Sequence, residues 1–217
     1  MPSCVRRITI VCAFVTALAG CSSTGTPVPL DLSSGSGADS RHWLPAGGTG
    51  NLVYVLDEGA RAVYRYSYAT RKQTGKLKGP FYVPLGICLD EKQDVFVVDN
   101  SAQFIREYSH DGKTVVHTLD DFLGFPAACS VDPTTGNLAV TNAQNADGSY
   151  PGNVVIYPHV TGTPKEYGIL NAYYVYFPAY DDKGNLFVNG YSTRAGASLL
   201  AELSKRDRSF RDLKIKT

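Results

Sequence analysis

Three groups of residues in this 217-residue sequence have types and spacing that could do chemistry. Cys21 follows Leu18-Ala19-Gly20, and its thiolate is a nucleophile. Side-chain oxygens recur at Asp99, Asn100 and Asn142, which end apolar runs, and at Asn145 and Asp147 in an oxygen-rich insert over 143–153. They could line a polar binding surface, although such residues commonly satisfy backbone donors in local turns. The insert lacks the acidic closing ligand that a calcium loop needs, so no metal is expected there. Tyr173-Tyr174-Val175-Tyr176-Phe177 is the most aromatic run. On a strand, Tyr174 and Tyr176 would face one side and Tyr173, Val175 and Phe177 the other. One set could stack on a sugar or peptide; packing on both sides is the expectation. His42, His110, His117 and His159 show no paired spacing, and no nucleophile elbow, phosphate loop or dinucleotide fingerprint is present. No catalytic residue, metal or cofactor is therefore assigned.

The elements that must position these groups begin after residue 50. Before it, Arg6 and Arg7 precede an apolar run over 8–20, with no acidic residue before Asp31. That is the pattern of an export signal, too short to span a bilayer comfortably. Leu18-Ala19-Gly20-Cys21 resembles the lipobox of bacterial lipoproteins. The resemblance implies a signal over 1–20, a lipidated Cys21 and a Ser/Gly/Pro-rich tether over 21–50. Ser22 then favours the outer membrane where the host has one. The expectation is an extracytoplasmic, lipid-anchored protein of the bacterial cell envelope. The charge balance, 21 basic against 20 acidic side chains, gives no footprint for nucleic acid.

The remainder repeats itself. Asn51-Leu52-Val53-Tyr54-Val55, Asp94-Val95-Phe96-Val97-Val98, Asn137-Leu138-Ala139-Val140-Thr141 and Asn185-Leu186-Phe187-Val188-Asn189 are separated by 43, 43 and 48 positions. A second apolar strand follows each, as in Val63-Tyr64-Arg65-Tyr66 and Ile105-Arg106-Glu107-Tyr108, then a weaker third. Proline-led strands lie between units at Pro84, Pro126 and Pro178, and the first unit lacks one. Four short strands per unit of about 40–50 residues signal β-propeller blades, and no segment keeps a helical period.

Pro84-Leu85-Gly86-Ile87-Cys88-Leu89-Asp90, followed by Asp94 to Asn100 and Ile105-Arg106-Glu107-Tyr108-Ser109, resembles an NHL repeat. The resemblance implies an all-β propeller of the gluconolactonase-like superfamily. Such propellers usually close with six blades. Residues 51–217 hold about four, over 51–79, 80–121, 122–171 and 172–217, so an open or incomplete ring is expected. Unpaired edges would then favour self-association. Family enzymes hold a cation at the channel with ligands just after the inner-strand proline. Here those positions are Leu85-Gly86, Ala127-Ala128 and Ala179-Tyr180, where Leu and Ala cannot ligate a hard cation, which wants oxygen donors. The resulting expectation is a binding module for protein or carbohydrate, with Asp99, Asn100, Asn142, Asn145, Asp147, Tyr174 and Tyr176 as its rim. A lactonase-like hydrolase or a truncated, non-functional propeller is the alternative. Cys88 and Cys129 stand at −2 and −3 from the aspartates closing their strands. The odd difference points them to opposite faces, and both are expected to be buried free thiols.

Overall fold

A computed structural model describes residues 50–192 and 197–214. The expected signal, Cys21 and the tether up to residue 49 lie outside them. The described residues form fifteen strands and no helix. The first sheet holds β1 (Leu52–Asp57), β2 (Ala62–Ser67) and β3 (Gln73–Lys76). The second holds β4 (Pro84–Leu89), β5 (Val95–Asp99), β6 (Phe104–Tyr108) and β7 (Val115–Asp120). The third holds β8 (Gly124–Val131), β9 (Leu138–Asn145), β10 (Asn153–Tyr157) and β11 (Lys165–Gly168). The fourth holds β12 (Ala172–Tyr180), β13 (Leu186–Ser192), β14 (Ser198–Leu203) and β15 (Arg211–Asp212). Every sheet is an antiparallel meander in chain order, as the short apolar runs and turn residues require.

The strands β4, β8 and β12 pack on one another in sequence and are the inner strands of their blades. The first sheet has none among the described residues: β1 is its edge, and it corresponds to β5 of the next blade. Two turns confirm the correspondence. Asp57 Oδ1 accepts the Ala60 amide at 2.8 Å, with Arg61 at positive φ; Asp99 Oδ1 accepts the Ala102 amide at 3.1 Å, with Gln103 likewise. Val53 is thus the equivalent of Val95. The sequence alignment, which set Asn51 against Asp94, was one residue out in β1. The second strands, matched at Val63 and Ile105, were in register.

Each blade turns alternate residues of its central strands toward the blade before it and the blade after it. Val95, Val97, Phe104 and Tyr108 pack back onto Val63 and Leu77 of the first blade. Phe96, Val98 and Ile105 pack forward onto Leu138, Val140, Val155 and Tyr157. Ala139 and Val154 pack forward onto Val175, Leu186, Val188 and Ala201. Each fully buried Val or Ile contributes roughly 1.5–3 kcal/mol by leaving water. Three core clusters thus fill three seams, and none joins the fourth blade to the first among the described residues.

One expectation is overturned. Cys88 and Cys129 form a disulfide, with Cα atoms 5.7 Å apart. The two cysteines do point to opposite faces of their own blades, since Cys88 pairs with Phe96 and Cys129 with Val140. But the strands belong to successive sheets, and the forward face of one blade meets the backward face of the next. Opposite parity is what brings side chains together across a seam; same-face parity applies only within one sheet. Gly86 permits the approach: a Cβ there would lie 2.6 Å from the Ala128 Cα.

Candidate functional site

The aromatic residues of the inner strand of the fourth blade gather at the rim where that strand begins. β12 carries register shifts between Ala172 and Tyr174 and between Val175 and Pro178, and these break the two-residue alternation. Val175 alone enters the core. Tyr173 and Phe177, expected on the same side of the strand as Val175, are 40% and 62% exposed. The expectation of packing on both sides of the run fails for this reason. Gly190 in β13 allows the bulged strand to sit close, because a Cβ there would collide with the Tyr174 carbonyl oxygen.

Tyr150 joins from the β9–β10 hairpin of the third blade. Its ring stacks on Tyr173 at 4.1 Å between centroids and meets Tyr174 edge-on at 4.7 Å. The Tyr150 and Tyr174 hydroxyls are hydrogen-bonded. Tyr174 stacks on Tyr176 at 5.6 Å, and Tyr176 meets the edge of Tyr191 at 5.8 Å. The hydroxyl bond to Tyr174 and burial raise the Tyr150 pKa. The result is a contiguous, partly exposed band of rings across the seam between third and fourth blades.

Polar groups border it. The insert over 143–153 is an ordered hairpin: the Ser149 carbonyl accepts the Asn145 amide at 3.0 Å, and Asp147 Oδ1 accepts the Ser149 amide at 2.8 Å. Donation from the Ser149 side chain and amide holds the exposed Asp147 carboxyl below its usual range. Gln144 donates to the Gly148 carbonyl, and the exposed Asn189 accepts the Phe177 amide at 3.0 Å. Of the rim residues named from sequence, Asn145, Asp147, Tyr174 and Tyr176 lie at this place. Tyr150, Tyr173, Phe177 and Tyr191 complete the band; only the presence of Tyr150 in the insert hinted at its joining.

The other named residues face inward. Asp99 is fully buried, and its carboxylate accepts the Tyr82 and Val83 amides at 2.6 and 3.0 Å. Asn100 donates to the Pro126 carbonyl at 3.0 Å, tying the second blade to the third. Asn142 is buried and donates to Asn153 Oδ1 at 2.8 Å. Close by, Asp121 Oδ1 accepts the Leu123 amide at 3.2 Å. Asp121 Oδ2, Asn142 Oδ1 and the Tyr157 hydroxyl have no partner of good geometry. Burial is the largest influence on Asp121 and pushes its pKa up to about 6, against the lowering effect of the Leu123 amide and the Asn142 and Tyr157 side chains.

Two further polar places were not legible from spacing. Asp90, Asp94 and Glu107 bring carboxylate oxygens within 4.8 Å of one another, a set that could contribute oxygens to a hard cation. Glu107 is also engaged by His117 Nδ1 at 2.6 Å, so that histidine has a partner on the neighbouring strand. At the opposite rim from the aromatic band, a cleft of about 210 Å³ between third and fourth blades is lined by Asp132, Lys165, Tyr180, Lys205 and Asp207, among others.

No protein-family model and no curated protein matches this sequence. Solved structures do. The nidogen/laminin complex matches at 20% identity and a TM-score of 0.64, covering 76% of this chain and 61% of that one. Hydrazine synthase of Kuenenia stuttgartiensis matches at 10% identity and a TM-score of 0.62, covering 76% and 47%. An inactive virginiamycin B lyase from Staphylococcus aureus, with quinupristin, matches at 15% and 0.60, covering 80% and 58%. The chain therefore spans roughly half to three fifths of the length of these relatives in shape. With the blades, the seams and these likenesses together, the fold is that of a β-propeller, with four blades and no closed ring among the described residues.

Proposed function

We propose that this chain is a lipid-anchored, extracytoplasmic binding module of the bacterial cell envelope, and that its aromatic rim takes a carbohydrate. The observation that carries the reading is the band formed by Tyr150, Tyr173, Tyr174, Tyr176 and Tyr191. A hexose ring has one face of C–H bonds and an edge of hydroxyls. Aromatic faces remove the first from water, and phenols or amides such as Asn145 and Asn189 meet the second. Longer loops on a rigid scaffold are favourable places for recognition. The anchor rests on Leu18-Ala19-Gly20-Cys21, and the Cys88–Cys129 disulfide fits an oxidising compartment. Against a lactonase-like hydrolase stand Leu85, Gly86, Ala127, Ala128 and Ala179, which supply no ligating side chain on the inner strands.

Titration of the full chain in detergent with cello-, chito- and malto-oligosaccharides, followed by tyrosine fluorescence, tests this. At least one series should bind. Tyr173→Ala and Tyr176→Ala should each weaken it by about tenfold, in line with loss of one ring contact worth about 1 kcal/mol or slightly more, while the melting temperature stays close to wild type. Absence of binding in every series, or variants that bind as tightly as wild type, would overturn the carbohydrate reading.

A further inference from the structure

Among the described residues, the first and fourth blades each carry a face with no blade against it. On the first, Val53 pairs with Tyr66 and Val55 with Tyr64, so these four side chains share one face. The opposite face, with Tyr54, Leu56 and Val63, packs on the second blade. The positions equivalent to Val53, Val55 and Tyr66 in the second blade are Val95, Val97 and Tyr108, all 0% exposed because the first blade covers them. In the first blade the same apolar types are present, but Val53 is 38% and Val55 44% exposed. This sheet is therefore built with the chemistry of a covered face.

On the fourth blade the uncovered face carries Phe187, Asn189, Leu200 and Glu202. Phe187 and Leu200 occupy the positions of Tyr54 and Val63, the residues that cover Val95, Val97 and Tyr108 within the chain. Glu202, at the position of Arg65, is buried and ion-paired with Arg211 of β15. A fourth blade laid on a first blade would thus set the aromatic–aliphatic pair Phe187 and Leu200 against Val53, Val55 and Tyr66.

We infer that the fourth blade of one copy docks on the first blade of a second copy, repeating between chains the seam already made three times within one. The contact is heterologous: each added copy leaves one face of each kind free. Asn189 and Tyr191 border both this face and the aromatic rim, but the contact is carried by Phe187 and Leu200 and does not depend on what that rim binds. Hydrophobic burial drives it, and the match of Phe187 and Leu200 to the positions of Tyr54 and Val63 sets its polarity.

Sedimentation of the full chain in detergent at micromolar concentration is the test, with Val55→Lys and Leu200→Lys as variants. Wild type should form species larger than one chain. Each variant alone should sediment as a monomer, because each has lost one face. Mixed in equal amounts, they should form a defined dimer, since the intact fourth blade of Val55→Lys meets the intact first blade of Leu200→Lys. Phe187→Lys, on the same face, replaces Leu200→Lys if that variant melts early. A monomeric wild type overturns the inference. So does a mixture that stays monomeric, or Val55→Lys that still associates alone.

Discussion

The seam between second and third blades and the seam between third and fourth are built from equivalent strands but are held differently. The first carries the Cys88–Cys129 disulfide, large interlocking side chains such as Phe96, Ile105, Leu138 and Tyr157, and the buried Asp121–Asn142–Asn153 group. The second is filled by smaller residues, with Ala139, Ala172 and Ala201 among its valines and leucines. It is crossed by Thr141 donating to the Tyr176 carbonyl and by the Tyr180 amide donating to Ser130 at 3.1 Å. The uncrosslinked seam is the one that opens to the aromatic band at one rim and the polar cleft at the other. A covalent, tightly filled seam can fix the scaffold, which leaves its neighbour free to spend surface on contact with other molecules.

The largest test of that contrast is removal of the disulfide. Cys88→Ser with Cys129→Ser should lower stability by about 4 kcal/mol on the chain-entropy relation, for a loop of 41 residues. Denaturant unfolding measures it; a loss below about 1 kcal/mol would place the strength of that seam in packing alone. Next comes Asp121. Its folded pKa of about 6 lies above that of an unfolded carboxyl, near 3.9. The folded state therefore holds more protons in between. Its contribution is fully present below about pH 4, falls as pH rises, and is lost above about pH 6. Asp121→Asn should remove up to about 3 kcal/mol of this decline, raising stability at pH 7.5 but not at pH 4. Equal gains at both values would rule out the titration.

On the other seam, Val188→Ala should cost roughly 2 kcal/mol through a small cavity, read as a fall in melting temperature with unchanged denaturant slope. A cost above 4 kcal/mol would make this seam as demanding as the stapled one. Lys205→Ala, at the cleft, deletes an exposed bond to Thr134 and should change stability by less than about 0.5 kcal/mol.

The sequence displayed the blades because each strand is short, apolar and bounded by turn residues, and because the pattern recurs. It likewise displayed no proline-led strand for the first unit, matching the three-stranded first sheet among the described residues. What it hid depends on relations between units. The cysteines were misread by applying one-sheet parity across a seam, and β1 was misplaced by one residue because Asn51 imitates Asp94. The rim was half visible: Tyr174 and Tyr176 stood out as a run, but bulges are invisible to a two-residue count, so the outward turn of Tyr173 and Phe177 was not. Asp121 gave no signal, since its altered acidity comes from burial among residues 20 and more positions away.

Because Tyr150 belongs to the third blade and its stacked partners to the fourth, the platform exists only while those two blades are docked. In a stack of repeats each unit is held by its neighbours. A ligand spread over Tyr150 and Tyr173 would bind only the docked arrangement, and by mass action would hold the open population down. Recognition at this rim would thus double as a clasp across that seam.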